Sequence, residues 1–363
     1  MGFLLSLLAL KSGTPAETIP QTDIESRRNR RGRQNKNEFI SYHGRPVLKK
    51  AHWVWHIWLY FWIGGIAGGA SAIAALASLF GNRDRNYPII RSARYLSLAA
   101  LLVSPVLLIL DLGRPERFHH MLRIFKFRSP LNVGTYILSA TSVLGGFNAA
   151  RQVVEDGIVP ENSLPGKLAL TFSNPATQTL QGLFGLGLGS YTGVVLSATA
   201  TPAWAQASRT MGPIFLCTGF ANGAAAISLI NALQGEDDPE IQTALERIEQ
   251  MATLAEMSLT LYTTWKFKPE VRKAFFDSVG GKIAAAGVVQ GQLIPLTLAA
   301  LGLNKSHSRL SRIFNALLVL SGGFMLRMGI IEGGKSTTLS ADAYHSITRG
   351  EDARPGQPEF DLK

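Results

Sequence analysis

The sequence predicts an all-α integral membrane protein in which eight transmembrane helices form two four-helix bundles related by a parallel repeat. Composition is the first reason: of 363 residues, 46% are hydrophobic and only 17% charged, and the charges crowd into a few stretches. Spacing is the second. Between those stretches lie apolar runs of about 20 residues, the length a helix needs to cross a hydrocarbon core. The third is an internal match between the first and fifth runs, at an offset of 154 residues.

Residues 1–10 are apolar but lack a basic start and a convincing cleavage site, so they do not read as a secretory signal. Met1 to Ser6 also fits a myristoylation pattern, one short enough to arise by chance. Residues 11–50 are polar and basic, with Arg27, Arg28, Arg30, Arg31 and Arg33 close together, and the segment 1–50 reads as a disordered or partner-ordered tail. Beside membrane spans, such a tail marks the cytoplasmic side and is no nucleic-acid arm. The runs are Trp53–Phe80, Ile89–Leu112, Leu131–Ala150, Thr179–Ala200, Met211–Leu233, Ile248–Trp265, Ile283–Leu303 and Ile313–Ile331. The fourth, sixth and seventh are the least sharply defined. Residues 51–200 then make the first bundle, 201–335 the second, and 336–363 a polar C-terminal tail. With eight spans, both termini and the loops after spans two, four and six share one side. Lys and Arg concentrate there, which puts both termini in the cytoplasm.

The repeat is read from Gly65-Ile66-Ala67-Gly68-Gly69-Ala70-Ser71-Ala72-Ile73-Ala74, which returns as Gly219-Phe220-Ala221-Asn222-Gly223-Ala224-Ala225-Ala226-Ile227-Ser228 with six of ten positions identical. Arg114-Pro115-Glu116 meets Lys268-Pro269-Glu270 at the same offset. Two such matches imply two halves in the same orientation. The glycines are helix-packing positions; no strand precedes them, which argues against a phosphate cradle. Asp111 aligns with Trp265, and His52 and His56 with Gln206 and Thr210, so the titratable groups belong to the first half alone.

Cys217 is the single cysteine, and iron–sulfur clusters take several thiolates, so none is expected in this chain. The seven histidines supply no facing pairs within spans, so no haem is expected either. His52 and His56 lie one turn apart on one face of the first span. The second span returns to that side and ends at Asp111, so His56, Asp111, Arg114, His119 and His120 share one membrane face. A carboxylate and a neutral imidazole bordering lipid suit proton exchange with a quinone, whose two-electron reduction takes up two protons. The alternative for His52 is hydration among headgroups. Tyr191 offers either a hydrogen bond to a quinone carbonyl or simple packing. Trp53, Trp55, Trp58, Tyr60 and Trp62 fit an interfacial aromatic belt. Glu256, mid-span, is costly as an ion; it is protonated, paired with Arg327, or part of a proton relay with Arg327, Gln290, Gln292 and Asn222.

Several of these segments resemble the NrfD / polysulfide reductase membrane-subunit family. Tyr60-Phe61-Trp62-Ile63-Gly64-Gly65-Ile66-Ala67-Gly68-Gly69 is similar to its first span, and Asp111-Leu112-Gly113-Arg114-Pro115-Glu116-Arg117-Phe118 to its second-span exit. Ser129-Pro130 to Gly134 resembles the start of its third span, and Gly322-Gly323-Phe324-Met325-Leu326-Arg327 its last. The resemblance covers most of residues 50–335. It implies a subunit of a multisubunit oxidoreductase in a prokaryotic inner membrane, exchanging electrons with menaquinone or ubiquinone. It also implies a ferredoxin-like iron–sulfur partner, a molybdopterin or other catalytic subunit beyond it, and a quinone site at His56 and Asp111. A secondary transporter or channel on the same parallel repeat is the rival expectation, and a purely structural anchor the third.

Overall fold

The computed structural model describes residues 48–302 and 308–348. The basic cluster at Arg27–Arg33, His43 and His307 lie outside them. All regular structure in the described residues is helical. Eight long helices follow one another: α1 Trp55–Phe80, α2 Tyr87–Leu110, α3 Pro130–Glu155, α4 Pro175–Ser197, α5 Met211–Gln234, α6 Pro239–Lys266, α7 Val279–Ala300 and α8 Arg309–Thr337. Each overlaps the apolar run expected of it. Five, α1, α2, α5, α7 and α8, are long and apolar enough to cross a membrane.

The helix starts are written in the sequence. Ser129-Pro130, Asn174-Pro175 and Asp238-Pro239 each place a capping side chain before a proline in the first turn. Asn174 closes a capping box with Thr177, and Asp238 Oδ1 accepts from the Glu240 N–H at 2.8 Å. Ser278 caps α7 and Ser308 caps α8. At the other end of α5, Gly235 adopts φ +80°, a left-handed conformation that favours glycine. The expected polar tail beyond residue 336 begins as helix: α8 continues to Thr337, and a short helix, Ala341–Thr348, follows.

Glycines fix how the helices meet. A Cβ on Gly69 would lie 2.1 Å from Gly219 O, and one on Gly223 would lie 3.1 Å from Gly69 C, while Gly219 faces Gly65. Position 65 therefore meets 219, and 69 meets 223, so α1 and α5 run parallel with backbones in contact. Gly68 meets Gly185 and Gly189, and Gly182 meets Ala75, an antiparallel α1–α4 crossing. Gly287 and Gly291 do the same against Gly322 in α7 and α8.

The less apolar helices turn their polar side inward. On α6, Gln242, Glu249, Thr253, Glu256 and Thr263 are buried, whereas Met251, Leu254, Leu261 and Trp265 are exposed. On α4, Gln178, Gln181 and Thr192 are buried and Leu180, Leu183 and Val194 are exposed. That is the reverse of a helix on a water-soluble protein.

At the end of α3 remote from Asp111, ionic groups tie α2 to α3. Glu155 pairs with Arg83, Arg94 and Arg151, and Asp156 takes Arg91 at 2.9 Å with Tyr87, Tyr95 and Gln152. Burial opposes ionisation of Asp156, but the hydrogen bonds from Tyr87, Arg91, Gln152 and Tyr95 prevail and hold it at about 2. A depressed carboxylate stabilises the fold above its unfolded value and ceases to do so as pH falls through the folded one. The melting temperature of Asp156→Asn should therefore fall below wild type at pH 7, and the gap should close between about pH 4 and pH 2.

Candidate functional site

His56 lies in the first turn of α1, where Val54 leaves the helix start without a side-chain cap, and Asp111 is the residue after the last of α2. The helices bring them together: His56 Nδ1 is 3.3 Å from Asp111 Oδ1, with side chains 15% and 23% exposed. The approach is an ion-pair distance without hydrogen-bond alignment, so His56 Nδ1 remains a buried atom with no hydrogen-bond partner. Burial raises the Asp111 carboxyl above its ordinary value, while His56 and His52 pull the other way. One turn deeper on the same face of α1, the Tyr60 hydroxyl is also buried and unpartnered. Such atoms are uncommon in a finished core and mark a place that a ligand can complete.

The other expected members are distributed unevenly. Tyr191, on α4, is buried in the cluster that contains Ile57, Tyr60 and Leu107. Its ring packs against α3 at Gly134, where an added Cβ would be 2.0 Å from the nearest ring carbon. Gly134→Ala should thus displace Tyr191 and lower the melting temperature, with the protein still folded. Arg114 is exposed at the start of the short helix Pro115–Arg117 and is not drawn to the His56–Asp111 pair. His119 and His120 are likewise exposed, with their rings against each other.

A second polar cluster lies between α5, α6, α7 and α8. Glu256 Oε1 accepts from Thr218 Oγ1 at 2.6 Å. Arg327 does not clasp this carboxylate: its Nη2 donates to Phe215 O at 2.6 Å, and its guanidinium sits 3.5 Å over the Phe215 ring. Arg327 Nε and Nη1 have no partner. Gln290 stays outside, donating to Ser321 Oγ at 2.5 Å. Gln292 takes the place expected of it, lining with Asn222 and Glu256 a crevice whose polar atoms converge. The cause is a π-helical stretch, Val289–Leu293, within α7, which re-aims the side chains of that turn. Asn222, with its amide oriented to satisfy its neighbours, donates to Val319 O and accepts from Trp62 Nε1.

Comparison with known proteins bears on what this arrangement is. Residues 47–338 match the family described as Polysulphide reductase, NrfD. The chain belongs to that family. This NrfD-family protein is 25% identical to the C polypeptide of polysulfide reductase from Wolinella succinogenes, over 78% of its own length and 94% of that protein's. It is also 24% identical to Protein NrfD of Escherichia coli K12, over 52% of its length and 62% of that protein's. Family membership and the five apolar helices together make it a multi-pass membrane protein.

Around the His56–Asp111 pair of this NrfD-family protein, sequence reasoning missed Tyr60 and Lys335. Tyr60 was expected in the aromatic belt, yet it is 1% exposed; of the residues expected in that belt, only Trp55, at 53%, is largely exposed. Its spacing of four from His56 was the available signal. Lys335, on α8, is buried, donates to Trp53 O and Glu332 Oε1, and lies near enough to Asp111 to favour its charge. No local motif foretells that contact, which joins positions 282 residues apart.

Proposed function

We propose that this protein is the quinone-reactive membrane subunit of a multisubunit oxidoreductase, passing electrons between membrane quinone or quinol and a docked iron–sulfur subunit. The observation that carries it is the set of unpartnered polar atoms, His56 Nδ1 and Tyr60 Oη, beside Asp111 at one end of α1 and α2. A quinone supplies two carbonyl oxygens that need donors and, on reduction, two protons. His56 and Tyr60 are placed to donate hydrogen bonds to such oxygens, and Asp111 to hold a proton beside His56. Tyr191 and Leu107 give the apolar wall. Lys335 and Glu332 carry charge from the neighbouring helix end.

The inward polarity and outward apolarity of α4 and α6 support eight spans, including the three less apolar helices. The reciprocal contacts of residues 65 with 219 and 69 with 223 support the parallel repeat. In each pair, residues separated by the repeat offset touch one another, as expected about a pseudo-two-fold axis along the helices. The lettered designation of the Wolinella relative, one polypeptide of a reductase, accords with partner subunits here. The excess of Lys and Arg supports cytoplasmic termini in the inner membrane.

Isolation of the native complex tests the reading. An iron–sulfur subunit, with a catalytic subunit beyond it, should copurify and be reduced by added quinol. Solute flux through the protein alone in liposomes, without any redox partner, would support the transporter instead. Glu256 belongs to the same reading as a proton carrier across the second half. Glu256→Gln should then abolish proton movement in proteoliposomes while quinol oxidation continues.

A further inference from the structure

We propose that the second half of the protein holds a phospholipid, with one acyl tail in a cavity between α6 and α7 and the phosphate at a lysine rim. The cavity encloses about 290 Å³. That is roughly twice the size of a ~150 Å³ apolar protein cavity that admits an aromatic molecule. Its floor is Trp204, Ile214 and Leu326, all buried. Its mouth is Leu261, Ala285 and Val289, all exposed on the side of α6 and α7 that faces outward.

The lining excludes a polar ligand. Trp204 Nε1 donates to Ile330 O, Thr263 Oγ1 to Thr210 Oγ1, and Thr264 Oγ1 to Leu261 O. Only the Thr260 hydroxyl is left without a partner. A hydrocarbon tail meets this surface with that single hydroxyl as the one polar group left unanswered. Charge at the mouth selects the headgroup. Lys266 is the last residue of α6, and Lys282 lies in the first turn of α7, one turn from Ala285. Both are exposed, and Lys266 sits over the Tyr262 and Trp265 rings at 5.6 and 5.7 Å. Aromatic rings with a lysine are the usual furniture of the headgroup level.

The repeat gives an independent reason to look here. Subtracting 154 turns Met211, Ile214, Leu261 and Val288 of the cavity into Ile57, Tyr60, Leu107 and Gly134 of the candidate quinone site. The two places are thus counterparts in the repeat. In the second, Thr210 stands where the first has His56 and Trp265 where it has Asp111, so the proton-handling groups are absent. What remains fits a tail held for its shape, with no chemistry performed on it.

The experiment uses the full-length protein in nanodiscs containing phosphatidylglycerol with a dibrominated acyl tail, since bromine quenches tryptophan on contact. The emission lost on Trp204→Phe isolates the signal of the buried Trp204. That signal should be quenched several-fold, and Ala285→Phe, at the exposed mouth, should restore most of it while leaving lipid-facing Trp265 quenched. Native mass spectrometry provides a second readout: one phospholipid retained by wild type, lost in Ala285→Phe and depleted in Lys266→Ala/Lys282→Ala. Unquenched Trp204 with no retained lipid overturns the proposal. So does restoration of its emission by excess quinone, which would assign the cavity to an isoprenoid tail. Quinone turnover at the first-half site is measured separately, so failure here leaves that reading untouched.

Discussion

Asp111→Asn should lower quinone turnover about 100-fold, the lower end of what a positioned acid or base contributes. The complex should remain assembled. Asn keeps the volume and the polarity at the end of α2 but cannot bind or release a proton. Because burial raises the Asp111 carboxyl, the folded protein favours its protonated form. The sign for stability follows: its contribution is greatest below the ordinary carboxylate value and is lost as pH rises through the folded one. Asn carries no charge for burial to oppose, so Asp111→Asn should melt no lower than wild type while turning over far more slowly. The pH profile is the sharper readout. Wild type should show an acid limb displaced above the ordinary carboxylate range, and Asp111→Asn should lack it. His56→Gln should likewise slow turnover, and rates equal to wild type in both variants would remove the pair from the reaction.

Gly69→Val should prevent α1 and α5 from assembling. The first atom of any side chain at position 69 would lie 2.1 Å from Gly219 O and 2.6 Å from Gly219 C, both backbone, so nothing local can yield. Overpacking a close interface costs up to about 3 kcal/mol, and here the helices would have to separate. The expected result is loss of monodisperse protein in detergent, measured by fluorescence size-exclusion chromatography. Gly113→Ala is the contrast: it lies in the Asp-Leu-Gly-Arg-Pro segment, yet an added Cβ would meet nothing within 4 Å. It should leave folding unchanged.

The architecture was largely legible because lipid leaves few solutions. A helix must satisfy its own backbone, so apolar runs report helices, and α1, α2, α5, α7 and α8 follow them closely. The polar helices were harder, since Glu249 and Glu256 interrupt α6 on a face that only tertiary packing identifies as interior. Counting crossings put His56 and Asp111 on one membrane face; their approach to 3.3 Å comes from the structure. A motif gives sequence proximity only: Arg114, three residues from Asp111, is exposed at the start of Pro115–Arg117. Tyr60 and Lys335 escaped for different reasons, an aromatic-rich context and a long-range contact, whereas Gln292, expected near Glu256, lines the crevice with it.

The π-helical turn of α7 has an evolutionary corollary. A π-helical turn is what an α-helix becomes when one residue is inserted into it. Deleting a single residue from Val289–Leu293 would restore regular winding and keep the helix continuous. Because the extra residue is absorbed within that one turn, the Ile294–Ala300 segment would keep the side it presents outward, and only the residues of the turn itself, Gln292 among them, would be re-aimed. A homologue of this protein one residue shorter in that segment is thus expected to carry its polar partner for Glu256 at another position, or to have no buried acid there at all.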